Sequence, residues 1–283
     1  MLAIIGGTGI YQLDGLEITA QHAMDTPYGA PSAEIVQGRI GQRELFFLPR
    51  HGSAHQLLPS EVNYRANIWA LKTLGVTQII GVSAVGSLRH EIAPGDLSIP
   101  AQYFDFVKGN REKTFFGGGL AAHVSTAEPT CDELTQALVK AGETLDIHIH
   151  TGKTYGCVDG PRLGTRAESF FLRDAAGCDL VGMTNVPEVF LAREAQICYC
   201  TLAIATDYDC WLDDPSQHVT VAQVIERYGA SLEKAKQLLL ALISSDDEIP
   251  ESESSRTSLA CAVMTPESAL NEEKRQLLEL LKR

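Results

Sequence analysis

ICYCTLAIATDYDCW, residues 197–211, decides the class of fold. The run from Ile197 to Ala205 is apolar without alternation, so it reads as a strand buried on both faces. Such strands belong to sheets covered by helices on each side. Asp207 and Asp209 then stand at the mouth of this strand. A carboxylate is costly to bury unless a proton, hydrogen bonds or a cation compensates it. The pair therefore lies either on a solvated loop or in a cleft at a strand end.

Outward from this stretch, short β-branched runs alternate with longer helical patterns. LAII (2–5), RELFFL (43–48), TQIIGVS (77–83), DLSIP (96–100), KTYGCV (153–158) and DLVGM (179–183) read as further strands. Ser60 precedes a helix that ends on Gly75, Thr165 and Glu168 form a capping box, and Thr220 and Gln223 form another before a long helix reaching about Ile243. In the tail, Thr265 and Pro266 open a last helix with a Leu stripe. The expectation is one α/β domain over residues 1–243, an exposed acidic linker at 244–256, and a C-terminal segment and helix at 257–283 that packs at a subunit interface.

The chain has 283 residues, 45% hydrophobic and 21% charged, which suits a globular domain with a large core. Its formal charge of −13 excludes nucleic acid and anionic membrane as partners, because both require a cationic footprint. Any anionic substrate must be held by a locally basic pocket. No apolar stretch approaches membrane-spanning length, and MLAIIGG lacks the basic head of a leader. The seven cysteines, among them Cys157, Cys178, Cys198 and Cys200 in apolar segments, read as reduced thiols of a cytoplasmic protein. No His/Cys spacing suggests a metal.

Four strand ends carry small or anion-binding residues. IIGGTGI (4–10) turns on glycines and offers Thr8; LPRHG (48–52) offers Arg50 and His51. VSAVGS (82–87) offers Ser83 and Ala84, and GMTNVPE (182–188) offers Thr184. Ligands of open α/β sheets bind at strand carboxyl ends, and this set suits a bare oxyanion. The glycine pattern lacks the dinucleotide fingerprint, so a nicotinamide cofactor is not expected.

Taken together, GGTG, TPYGAPS, RHG, VNYRANIWALK, AVGSLRHEIAPGD, GPRLGTRAESF and GMTNVPEVFLAREAQICYCTLAIATDYDCW make the chain resemble the trimeric purine nucleoside phosphorylase and methylthioadenosine phosphorylase family. The resemblance implies a single-domain α/β fold with a twisted, partly closed mixed sheet, and a homotrimer with sites near subunit interfaces. It implies phosphorolysis of a thionucleoside by inorganic phosphate, a co-substrate, to free purine and a pentose 1-phosphate, without metal or organic cofactor. It further implies phosphate binding by Thr8, Arg50, His51, Ser83, Ala84 and Thr184, and base recognition by Asp207 and Asp209 with Ala84, Val85 and Leu163 around the ring. Met183 would meet the ribose, Val221 and Val224 the 5′ group, and His123 and Met264 would come from the neighbouring subunit.

The chemistry agrees with those roles. Cleavage of an N-glycosidic bond leaves an oxocarbenium-like sugar, stabilised by an anchored anion, and a purine that needs a proton at N7. A protonated Asp207 would supply it while accepting from an exocyclic amine, and Asp209 would keep one proton on the pair. A 6-oxopurine offers no such amine, and family members that cleave inosine or guanosine usually carry Asn at the Asp207 position. A 6-aminopurine is the expected base. Gly164, where thioadenosine enzymes usually carry a small hydroxyl residue and 6-oxopurine enzymes Glu, and Val85, which replaces the usual Cys, would loosen that selectivity. The alternatives are a 6-oxopurine (methylthioinosine, inosine or guanosine) phosphorylase, a nucleosidase, and a silent nucleoside-binding protein.

Overall fold

The computed structural model describes residues 1–7, 9, 13–212 and 221–283, apart from the side chains of 221–228 and 230. In chain order the strands are β1 (Leu2–Gly6), β2 (Glu17–His22), β3 (Ile35–Ile40), β4 (Arg43–Pro49), β5 (Gln78–Ser87), β6 (Leu97–Asp105), β7 (Ile149–Cys157), β8 (Leu180–Gly182) and β9 (Cys198–Asp207). The helices are α1 (Tyr64–Thr73), α2 (Asp132–Glu143), α3 (Arg166–Phe170), α4 (Asn185–Glu194), α5 (Val221–Ser244), α6 (Glu253–Arg256) and α7 (Glu272–Leu281).

The strands form one mixed sheet in the order β2-β3-β4-β1-β5-β8-β7-β6-β9, and β9 returns to pair with β5. Part of the sheet is thus a closed ring and part an open wing. The parallel pairs β1–β4, β1–β5 and β5–β9 form its centre. Their side chains point alternately to two cores, which is why the sequence shows no alternation. Ile5, Ile79 and Tyr199 face one core with Ile68 of α1, Val189 of α4 and Leu277 of α7. Ile4, Ile80 and Leu202 face the other with Leu138 of α2 and Leu238 of α5.

The strand β5 places the site. Its first half pairs with β1, from Gln78 to Gly81, and its far end pairs on the same edge with β8, at Gly86 and Ser87. Between these partners the edge divides. The stretch Val82–Val85 keeps its register only with β9, and the cleft opens there. The expected strand exit at Ser83 is therefore the middle of a longer strand.

Other local expectations are corrected. The first helix starts at Tyr64, because the Asn63 side chain, not Ser60, accepts from the Ala66 amide at 3.2 Å. The capping box of Thr165 and Glu168 is present, but α3 passes after one turn into a π-helical turn, Phe171–Ala175. In the tail, Pro266 leads only a 3₁₀ turn, and the helix α7 is capped by Asn271, which accepts from Lys274 at 2.9 Å. The expected cap Thr220 lies outside the described residues.

The acidic stretch 244–256 exposes most of its side chains, but its backbone is anchored. Arg43 donates to the carbonyls of Leu242, Ser245 and Asp247, and Gln78 to those of Ile249 and Pro250. Cys198 is not a free thiol. It is joined to Cys131 at the start of α2, with Cα atoms 5.3 Å apart, while Cys157, Cys178, Cys200, Cys210 and Cys261 are free. A pairing across a sequence separation of 67 gives no signal in local cysteine spacing.

Candidate active site

A cavity of about 580 Å³ opens over the divided edge of β5, in the size range of small-molecule sites. Arg50, His51, Ser83, Ala84, Val85, Leu163, Met183, Thr184, Asp207 and Asp209 all line it. His123 and Met264 do not; they are exposed side by side, where Ala122 bridges Val263 and the Met264 amide donates to the Ala121 carbonyl. Thr8, His218 and the side chains of Val221 and Val224 lie outside the described residues.

One end of the cavity is built for an oxyanion. Ser83 and Thr184 bring their hydroxyl oxygens to 3.4 Å. Thr184 directly precedes α4, whose first residues are separated from its helical body by a non-helical Val186, so the wall at this point is irregular backbone rather than a regular helix start. His51 donates Nδ1–H to the Leu57 carbonyl at 2.8 Å. Burial first, and then the Arg50 charge, pushes its pKa down to about 4, so the ring is neutral at pH 7 and its Nε2 is an acceptor.

Arg50 is 1% exposed, and most of its fork is taken up by protein acceptors. Nε and Nη2 each meet a Glu188 oxygen at 2.7 Å, Nη1 donates to the Val82 carbonyl at 2.8 Å, and Nη2 also reaches the Ile5 carbonyl. Burial opposes the charge, but Glu188 overcomes it and holds the guanidinium protonated well above its ordinary range. One Nη1–H remains for the cavity. Glu188 also accepts from the Tyr199 hydroxyl at 2.8 Å, which in turn accepts from Asn185. Sequence reasoning missed this support. Its one signal is a lone acid inside the apolar stretch VPEVFLA.

The other end carries the carboxylates. Asp207 sits at the end of β9, where its Oδ2 accepts from the Thr206 hydroxyl at 2.6 Å and its Oδ1 from the Asp209 amide at 2.7 Å. Burial above all, with the Asp207 charge adding to it, raises the Asp209 pKa. The Asp207 charge is thus one of the reasons why Asp209 holds a proton more readily than an ordinary carboxyl. Gly86 lets them sit this close to β5: a Cβ there would stand 3.2 Å from Asp207 Oδ1 and 3.1 Å from Val181 Cγ1. Gly164 faces open space, with Glu168 Oε2 at 4.0 Å the nearest atom to a Cβ placed there.

Among the described residues no cluster of His, Cys, Asp and Glu could hold a metal, and no helix is long and apolar enough to cross a membrane.

Residues 1–244 match the family model of the phosphorylase superfamily. The S-methyl-5′-thioadenosine phosphorylase of Geobacter sulfurreducens is 42% identical over 281 residues, covering 99% of this chain and 97% of that one. The enzyme of the same name from Hyperthermus butylicus is 48% identical over 242 residues, covering 86% and 87%. Among solved structures, a methylthioadenosine phosphorylase sourced from an antarctic soil metagenomic library superposes with a TM-score of 0.92 at 44% identity, over 99% of this chain and 98% of that chain. A methylthioadenosine phosphorylase from Schistosoma mansoni in complex with adenine superposes at 0.86 with 36% identity, over 93% and 98%. With identity of this extent over nearly its whole length, the chain belongs to the phosphorylase superfamily.

Proposed function

We propose that this protein cleaves S-methyl-5′-thioadenosine with inorganic phosphate, giving adenine and 5-methylthioribose 1-phosphate. One observation carries the reading: a single cavity has the paired hydroxyls of Ser83 and Thr184 at one end and two carboxyls, with the Asp209 pKa raised, at the other. The curated relatives of this activity support the substrate.

Phosphate binds among Ser83, the Ala84 backbone, Thr184 and the remaining Arg50 N–H, with Thr8 completing the set. Neutral His51 accepts a hydrogen bond from a protonated phosphate oxygen. As the glycosidic bond lengthens, the anion stabilises the positive sugar and then captures C1′. At the far end the purine gains electrons, and the proton of the Asp207–Asp209 pair moves to N7 while a carboxylate oxygen accepts from the 6-amino group. Met183 lies against the ribose, with Val85 and Leu163 around the base. The 5′-methylthio group falls to Val221 and Val224. No step requires a metal or organic cofactor.

The test is adenine release from methylthioadenosine with and without phosphate, beside the same measurement on methylthioinosine. Phosphate-dependent release that favours the amino substrate supports the proposal. Release independent of phosphate, or a larger kcat/KM for the oxo substrate, contradicts it. The exposed positions of His123 and Met264, away from their own chain's cavity, support a homotrimer in which they reach a neighbour's site. Light scattering that returns a monomer in the presence of both substrates contradicts this.

A further inference from the structure

Arg50 cannot supply the net positive charge of the phosphate subsite, since Glu188 neutralises it across a closed fork. His51 is neutral, and Lys108, at the rim, is exposed to solvent that screens it. The chain as a whole carries −13. A dense anion therefore needs another cation behind the wall.

Arg111 is 6% exposed and forms no ion pair among the described residues. Its guanidinium N–H groups meet three wall carbonyls, of Met183 at 2.8 Å, Val186 at 2.7 Å and Asp159 at 2.9 Å, and Nη1 also lies 4.0 Å from the Cys157 sulfur. The sequence explains why those carbonyls are free. Met183 would be the helical acceptor for residue 187, which is proline and has no N–H. Val186 leaves helical geometry, at φ −112° and ψ 123°. Arg111 replaces the donors that the kink removes, on both sides of Thr184.

The loop that carries Arg111 is locked in return. The Asp159 carboxylate accepts from the amides of Lys108 at 3.0 Å and Gly109 at 2.8 Å. The guanidinium also lies over the Tyr64 ring, 5.5 Å from its centre. A buried cation held in a fixed orientation by neutral groups keeps its charge for whatever anion binds beyond Thr184.

We infer that Arg111 is a positioning residue that holds the Met183–Thr184 wall and supplies the uncompensated positive charge of the phosphate subsite. This rests on the phosphorolysis reading for its ligand, but direct binding tests it without turnover. Calorimetry would compare inorganic phosphate and adenine binding in the wild type, Arg111→Gln and Arg111→Lys. Glutamine keeps hydrogen-bond donors and loses the charge; lysine keeps the charge and loses the fork.

The expected result is a phosphate Kd at least tenfold weaker in Arg111→Gln, recovered to within about threefold of wild type in Arg111→Lys, with adenine affinity changed less than threefold in both. Unchanged phosphate affinity in Arg111→Gln, or an equal loss in the two variants, overturns the inference. If Arg111→Gln does not fold, Arg111→Lys decides alone: a tenfold loss of phosphate affinity with charge retained overturns it, and preserved affinity supports it. Failure of the wild type to release adenine would count against the proposed reaction. The comparison of phosphate affinities would still decide the role of Arg111.

Discussion

Arg50 and Glu188 meet as a closed fork, with two N–H groups of one on the two oxygens of the other at 2.7 Å, both side chains nearly inaccessible to water. Breaking a buried pair from one side leaves the other charge uncompensated. Glu188→Ala is therefore expected to lower stability by about 3–5 kcal/mol, with a correspondingly lower urea midpoint. A midpoint within error of wild type would show the pair to be incidental.

Asp207→Asn removes the acid but keeps the shape. Its kcat/KM for methylthioadenosine should fall about a hundredfold or more, the scale on which a positioned proton donor acts. The loss on methylthioinosine should be smaller, because an amide can donate to a 6-oxo group. Parallel losses on both substrates would contradict base recognition by this carboxyl.

Gly86→Ala tests the same pair from behind. A Cβ there presses on Asp207 Oδ1 and Val181 at 3.1–3.2 Å, so the dyad or β8 must shift by a few tenths of an ångström. Misplacement of this kind is expected to lower kcat about tenfold while phosphate affinity stays within about twofold. Steady-state rates and phosphate calorimetry on one preparation separate the two effects.

Glu194, at the end of α4, accepts from the Thr114 hydroxyl and the Phe115 amide, each at 2.7 Å, and burial raises its pKa from 4.5 to about 7. The folded state holds this proton more tightly than the unfolded chain does. Its stabilising contribution is thus complete below about pH 4.5 and disappears as pH rises through about 7. Glu194→Gln should abolish about 1–3 kcal/mol of the stability lost between pH 5 and 8, as read from denaturant midpoints at the two pH values. A wild-type and variant pair with the same pH slope would refute the assignment.

The Cys131–Cys198 bond closes a loop with a sequence separation of 67, for which chain entropy gives a stabilisation of about 4 kcal/mol. The double substitution Cys131→Ser and Cys198→Ser should lower Tm, and excess reductant should bring the wild type to the same value. If reductant leaves the wild-type Tm unchanged, the bond does not contribute in solution.

Strands buried on both faces were legible because their apolar runs have no competing explanation. The wing strand β2, EITAQH, was not, since its side chains are mostly exposed and no core imposes a pattern on them. Antiparallel β3 also escaped notice. The residues that line the cavity were readable as chemical types at strand ends. Their support was not: the fork of Arg50 was read as free for an anion, yet its partner Glu188 stands 138 residues away, and only the fold brings the two together. Arg111 was invisible for the same reason, because its partners are backbone carbonyls that no residue identity reveals.

The shared position of β5 also bears on biosynthesis. Its partner β1 leaves the ribosome before it, but β9, which pairs with β5 along its length, follows β5 by about 120 residues. At ordinary elongation rates the nascent chain waits about 6–24 s with one long apolar edge of its central strand unmatched. During that interval a chaperone, or a second nascent copy, would compete for the edge that β9 eventually takes.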